Sequence, residues 1–117
     1  MAMSNSINNT PVVLCASNAY EEKYYFNEEF AELPQSIKEE LQIMCVLYTA
    51  DVGGILILQY DNEGTLFMNV TSNSDDFLFD EIGSVLKIKQ IQAEKRELFK
   101  MLELYYRVKF LGDESLI

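Results

Sequence analysis

The sequence predicts an α+β domain: a small antiparallel sheet, in the element order ββαββα, packed with one mid-chain helix and one long C-terminal helix. Three observations predict it. ILILQYDNEGTLFMNVT (55–71) is two apolar runs joined by a turn sequence, LPQSIKEELQIMCVLYTADVGG (33–54) repeats its apolar residues at helical spacing, and 79–110 holds a second, longer helical pattern. With 117 residues and no Gly/Ser/Pro linker, one domain over 11–112 is expected, between a flexible arm (1–10) and a disordered tail (113–117).

PVVLCAS (11–17) reads as a short buried strand, opened by Pro11 where a missing N–H does no harm. YEEKYYFN (20–27) is open to two readings. Its aromatics favour a strand over 21–27 followed by a single turn through EEFAEL, yet Tyr20, Tyr24, Phe30 and Leu33 also fit a helix capped by Asn18. Helix 35–51 follows: Pro34 suits a first turn, Ile37, Leu41, Met44 and Tyr48 share a face, and Gly53-Gly54 stand where a left-handed cap is wanted. From Ile43 onward nearly every position is apolar, so burial around most of its circumference is expected.

Asp61-Asn62-Glu63-Gly64 then reads as a type I turn closing a hairpin through a Gly bulge. Pairing Asp61 with Thr65 sets Tyr60, Leu58 and Leu56 beside Leu66, Met68 and Val70 on one apolar face. The opposite face shows Ile55, Ile57 and Phe67 among polar residues, and three large apolar side chains there ask for a cover, from this chain or another.

The last helix, over 79–110 with Asp80 near its start and Gly112 past its end, would be about 48 Å long if straight. A domain of this size is only roughly 35 Å across. Its apolar face also wanders: Ile82, Val85, Leu86 and Ala93 gather on one side, and Ile91, Leu98, Leu102 and Tyr105 nearly opposite. Either the two halves pack on different surfaces or the element breaks near 93–97, where no breaker stands. A homodimer is the economical second surface, with Ile55, Ile57, Phe67, Leu98, Leu102 and Tyr105 as its expected interface.

Composition narrows the chemistry. A net charge of −10 disfavours nucleic acid and anionic membrane as partners, since both require a basic stripe. The chain has no histidine, and Cys15 and Cys45, each inside an apolar run, read as small buried hydrophobes. Met1 to Thr10 has neither a basic nor an apolar leader region, so a cytoplasmic location is expected. The serines have no histidine to activate them, and Gly53-Gly54 fits no phosphate loop. Asp75, Asp76, Asp80 and Glu81 could supply oxygen ligands to a divalent cation, but carboxylates also gather at helix starts for the dipole alone. Lys23 with Tyr24 and Tyr25 could line a ligand pocket. No catalytic residue, metal or cofactor is assigned; the leading expectation is a non-enzymatic, self-associating interaction or regulatory protein with an unidentified partner, and the alternative a small-molecule or divalent-cation binder, or an enzyme, that uses Lys23 and the nearby tyrosines or the 75–81 carboxylates.

The runs CASNAYEEKYYFN, LPQSIKEELQIMCVLYTADVGGILIL and DEIGSVLKIKQI resemble a family of small uncharacterised clostridial proteins, a domain of unknown function. The resemblance implies a bacterial, cytoplasmic, single-domain protein and no site residue.

Overall fold

A computed structural model describes residues 11–112, so the expected arm and tail lie outside the described residues. The elements are β1 (Val12–Asn18), β2 (Lys23–Phe26), a 3-10 turn (Glu28–Phe30), α1 (Gln35–Val52), β3 (Ile55–Tyr60), β4 (Leu66–Thr71), α2 (Glu81–Glu94) and α3 (Arg96–Lys109). The α+β class is as expected. The order departs from ββαββα in two places, by the 3-10 turn after β2 and by division of the C-terminal helix.

Among the described residues the strands form one antiparallel sheet in the order β2-β1-β3-β4. The hairpin has the register that its turn sequence implies: Tyr60, Leu58 and Leu56 pair with Leu66, Met68 and Val70. Asp61 sets it, its Oδ1 accepting from the N–H groups of Glu63 (2.9 Å) and Thr65 (3.0 Å), while Gly64 takes a φ of 87°. The ambiguous 20–27 stretch is a strand at its second half, and Asn27 caps the turn that follows by accepting from Glu29 N–H. That asparagine also donates to Val13 O at 2.7 Å, tying the turn to an irregularity in β1 between Val13 and Cys15.

Helices α1 and α3 lie against the face carrying Cys15, Ser17, Leu58 and Tyr60. Helix α1 is held there by the hydroxyl pair of Ser17 and Thr49 (2.7 Å) and by the thiols of Cys15 and Cys45 (3.8 Å). Helix α2 hangs on α1 through Tyr48 and Ser84, whose hydroxyls are 2.6 Å apart. Helix α3 returns to the sheet, where the Tyr60 hydroxyl donates to Leu102 O at 3.0 Å. The passage from α1 into β3 needs Gly54, with φ 75°: a Cβ there would stand 2.7 Å from Thr71 O and 2.8 Å from the Phe79 ring.

The expected straight rod is not formed. The molecule's longest dimension is 45 Å, and the helix breaks at Lys95, whose φ and ψ are −108° and 24°. Nothing in the local sequence disfavours helix there. The cause is tertiary: one non-helical residue re-phases the apolar stripe, so that Ile91 faces α1 while Phe99, Leu102 and Tyr106 face the sheet. Lys95 is fixed by its Nζ donating to Glu40 on α1 at 2.9 Å.

What draws α3 inward is a ring cluster. Phe30, from the 3-10 turn, lies 5.7 Å from Tyr60, 6.4 Å from Tyr106 and 4.9 Å from Phe110, and Tyr60 stacks on Tyr106 at 4.1 Å. The expected burial of α1 around most of its circumference is not realised: Leu41, Met44, Cys45 and Tyr48 are buried, but Ile43, Val46 and Leu47 are exposed, because α2 meets α1 along one edge only.

Phe30→Ala should therefore lower unfolding free energy by about 3–5 kcal/mol, the usual loss for a fully buried aromatic. Tyr25→Ala, on the exposed sheet face, should change it by less than about 0.5 kcal/mol. Urea titration followed by circular dichroism compares the two.

Candidate functional site

Two concavities and one apolar surface carry what function the fold can offer. The first concavity, of about 750 Å³, opens between the β1–β2 end of the sheet and α1, and Ser17, Lys23, Tyr24, Gln42, Val46 and Thr49 are among its walls. Strand alternation divides the expected trio: Tyr24 points to the helix face, whereas Tyr25 pairs with Ala16 on the opposite face and is exposed. Lys23 is solvent-exposed, 3.9 Å from Glu21. Only Tyr24 brings a buried polar atom, its hydroxyl, which has no hydrogen-bond partner among the described residues. It lies over the two thiols.

Tyr24 and Cys45 hold their protons more tightly than usual. Burial, then the neighbouring Cys15, holds the Tyr24 phenol above its ordinary range, and burial raises Tyr60 in the same way. The hydrogen bond with Cys15, then burial, pushes the Cys45 thiol up. Both cysteines are fully buried in the core, so Cys15 and Cys45 pack as small hydrophobes.

The second concavity is a groove of about 510 Å³ between α1 and α2. Ile43, Met44, Leu47, Tyr48 and Ile91 make it apolar, the ion pair Lys95–Glu40 (2.9 Å) joins its two walls, and Lys87 on its wall pairs with Asp51 (3.5 Å) outside it. Lys87 and Gln90 also line a second hollow, of about 420 Å³, with Asp51, Asp80, Leu78 and Leu86. Exposure along this surface is 60% at Ile43, 63% at Leu47, 91% at Phe77, 95% at Leu78, 77% at Ile82 and 62% at Leu86.

The six residues expected to form an interface are placed differently. Leu102 is fully buried within its own chain, Tyr105 lies 6.2 Å from the Phe30 ring, and Leu98 packs against the core, so that half of the C-terminal segment has its partner already. Ile55, Ile57 and Phe67 stand on the sheet face away from the helices and are half-buried. The helical surface that is most exposed lies instead on α1 and on α2 with the loop before it. Its signal was present in the sequence as the Ile82, Val85, Leu86 side of the wandering stripe, but the run from Ile43 to Tyr48 pointed to burial.

Two of the 75–81 carboxylates, Asp76 and Asp80, are engaged within the chain. Asp80 caps α2, its Oδ1 accepting from Gly83 N–H at 2.9 Å, and Asp76 accepts from the Tyr20 hydroxyl (2.6 Å) and Leu78 N–H (3.2 Å). Among the described residues no group of three or more His, Cys, Asp or Glu is placed to hold a metal ion, and no helix is long and apolar enough to cross a membrane.

These features define a small α+β domain with its helices on one side of the sheet and an apolar helical surface left open. The chain belongs to the family of unknown function DUF6145, whose model matches residues 11–114. No curated protein and no solved structure matches it.

The protonated groups imply a pH dependence. Unfolded thiols and phenols ionise near pH 8.5 and 10, whereas the native Cys45, Tyr24 and Tyr60 hold their protons to higher pH. The unfolded chain thus binds fewer protons above that range, and stability, complete below about pH 8.5, falls as pH rises. Thermal melts from pH 7 to 11 should show a melting temperature level to about pH 8.5 and declining beyond it.

Proposed function

We propose that this protein is a non-enzymatic interaction or regulatory protein of the clostridial cytoplasm that acts as a homodimer, its copies meeting over the α1–α2 surface. The observation that carries this reading is the exposure of Ile43, Leu47, Phe77, Leu78, Ile82 and Leu86. The largest apolar patch on a typical monomer is about 300–600 Å² and is often functional. Each partner in a standard interface gives about 800 Å². The outer sheet face, with Ile55, Ile57 and Phe67 half-buried, is the smaller candidate surface and has less to gain from a cover. The likeness of the chain to small clostridial proteins supports the source.

A second reading has its own observation. The cavity beside Tyr24 has a volume within the range of small-molecule sites. Under that reading a metabolite panel raises the melting temperature in proportion to the logarithm of ligand concentration.

Sedimentation equilibrium separates the two. The dimer reading expects twice the 13.5 kDa chain mass at micromolar concentration. Leu47→Glu should weaken association at least tenfold and leave the melting temperature of the monomer within a few degrees, because the side chain is largely in solvent. A single-chain mass at all concentrations refutes the dimer.

A further inference from the structure

The chain has two cysteines, and the fold sets them face to face. Cys15 stands on β1 and Cys45 on α1, 30 positions apart in the sequence, and their Sγ atoms are 3.8 Å from one another as free thiols. The contact is one rung of a seam. Two residues further along β1 and four further along α1, the Ser17 and Thr49 hydroxyls pair at 2.7 Å. Two strand residues rise about 6.6 Å and four helical residues about 6.0 Å, so strand and helix advance in step and each rung holds the other in register. Ser17, Thr49 and Tyr24 belong to the walls of the concavity of about 750 Å³. The thiols, although fully buried, are therefore one rung from an opening.

We infer that Cys15 and Cys45 are a reversible modification site, closing to a disulfide within the chain by exchange with a low-molecular-weight disulfide. One cysteine, as its thiolate, attacks the small disulfide, forms a mixed disulfide and releases one small thiol. The other cysteine then attacks the protein-side sulfur of that bond and releases the second small thiol. In balance, the two cysteines give up two hydrogens and two electrons, the small disulfide leaves as two thiols, and one S–S bond joins β1 to α1. The sulfurs close from 3.8 Å to about 2.05 Å, which draws α1 toward β1 beside the concavity. Burial slows the exchange, which proceeds through openings of the seam; what the fold contributes to the equilibrium is proximity. In the unfolded chain the two sulfurs must find one another across the 30-residue separation, whereas in the native chain they are already neighbours. Folding thus favours the bond, and by the same linkage the bond favours the fold. In a reducing compartment such a bond is transient and redox-sensing rather than structural. The inference does not depend on self-association.

The test equilibrates the full chain in mixtures of reduced and oxidised glutathione, once native and once in urea, approaching each equilibrium from the reduced and from the oxidised chain. Acid-quenched samples are weighed by mass spectrometry for the loss of two hydrogens, and peptides mapped without reductant identify the bond. Expected are a peptide pair joined through Cys15 and Cys45, reversal by dithiothreitol, and an effective thiol concentration about tenfold or more higher in the native chain than in urea. The oxidised chain then melts at a higher temperature than the reduced one. A native effective concentration equal to or below that in urea, glutathione left on single cysteines, or a bond between two chains overturns the inference.

Discussion

The packing of Phe30, Tyr60, Tyr106 and Phe110 into one ring cluster is the constraint on which the rest of the molecule depends. Those four residues come from a single 3-10 turn, the end of a strand and the last turn of the chain's final helix. They can meet only if the C-terminal segment comes back over the sheet. A straight helix cannot do that and also keep Ile91 against α1, so the helix gives way at Lys95. The buried Tyr60 hydroxyl, satisfied by Leu102 O, fixes how far α3 slides before it stops.

Once α3 is committed to the sheet, the first half of the C-terminal segment has little to pack on. Helix α2 is tethered to α1 by the Tyr48–Ser84 hydroxyl pair and by Ile91, and its outward side, with Ile82 and Leu86, is left in solvent beside Ile43 and Leu47. The apolar surface is thus a consequence of how the core is closed. Leaving that much apolar area in water is unfavourable by about 25 cal/mol per Å². This is the physical reason to read the surface as a contact rather than as decoration.

Legibility in the sequence followed how local each determinant is. The β3–β4 register was readable because Asp61 and Gly64 specify the turn and the side-chain period of two does the rest. The span of α1 was readable from Pro34 and Gly53. The break at Lys95 was located only as an alternative, since lysine is a good helix former and the preference against it comes from Glu40 on another element and from the ring cluster. The candidate sites were less legible still. Three neighbouring residues, Lys23, Tyr24 and Tyr25, look like one cluster along the chain, but a strand sends alternate side chains to opposite faces. A run such as IMCVLY reports hydrophobicity and not burial, and half of it proved to lie on the surface. Leu102 and Tyr105 showed the converse: residues that looked surplus to one chain are held inside it.

The dimer proposed above uses the α1–α2 surface, and neither α3 nor the outer sheet face, as its contact. Methyl NMR spectra recorded across a dilution series distinguish these surfaces. Concentration-dependent shifts are expected at Ile43, Leu47, Leu78, Ile82 and Leu86, with Ile57 and Leu102 unmoved. Shifts centred on Ile57 or Leu102, or none at any methyl over the whole series, rule this contact out.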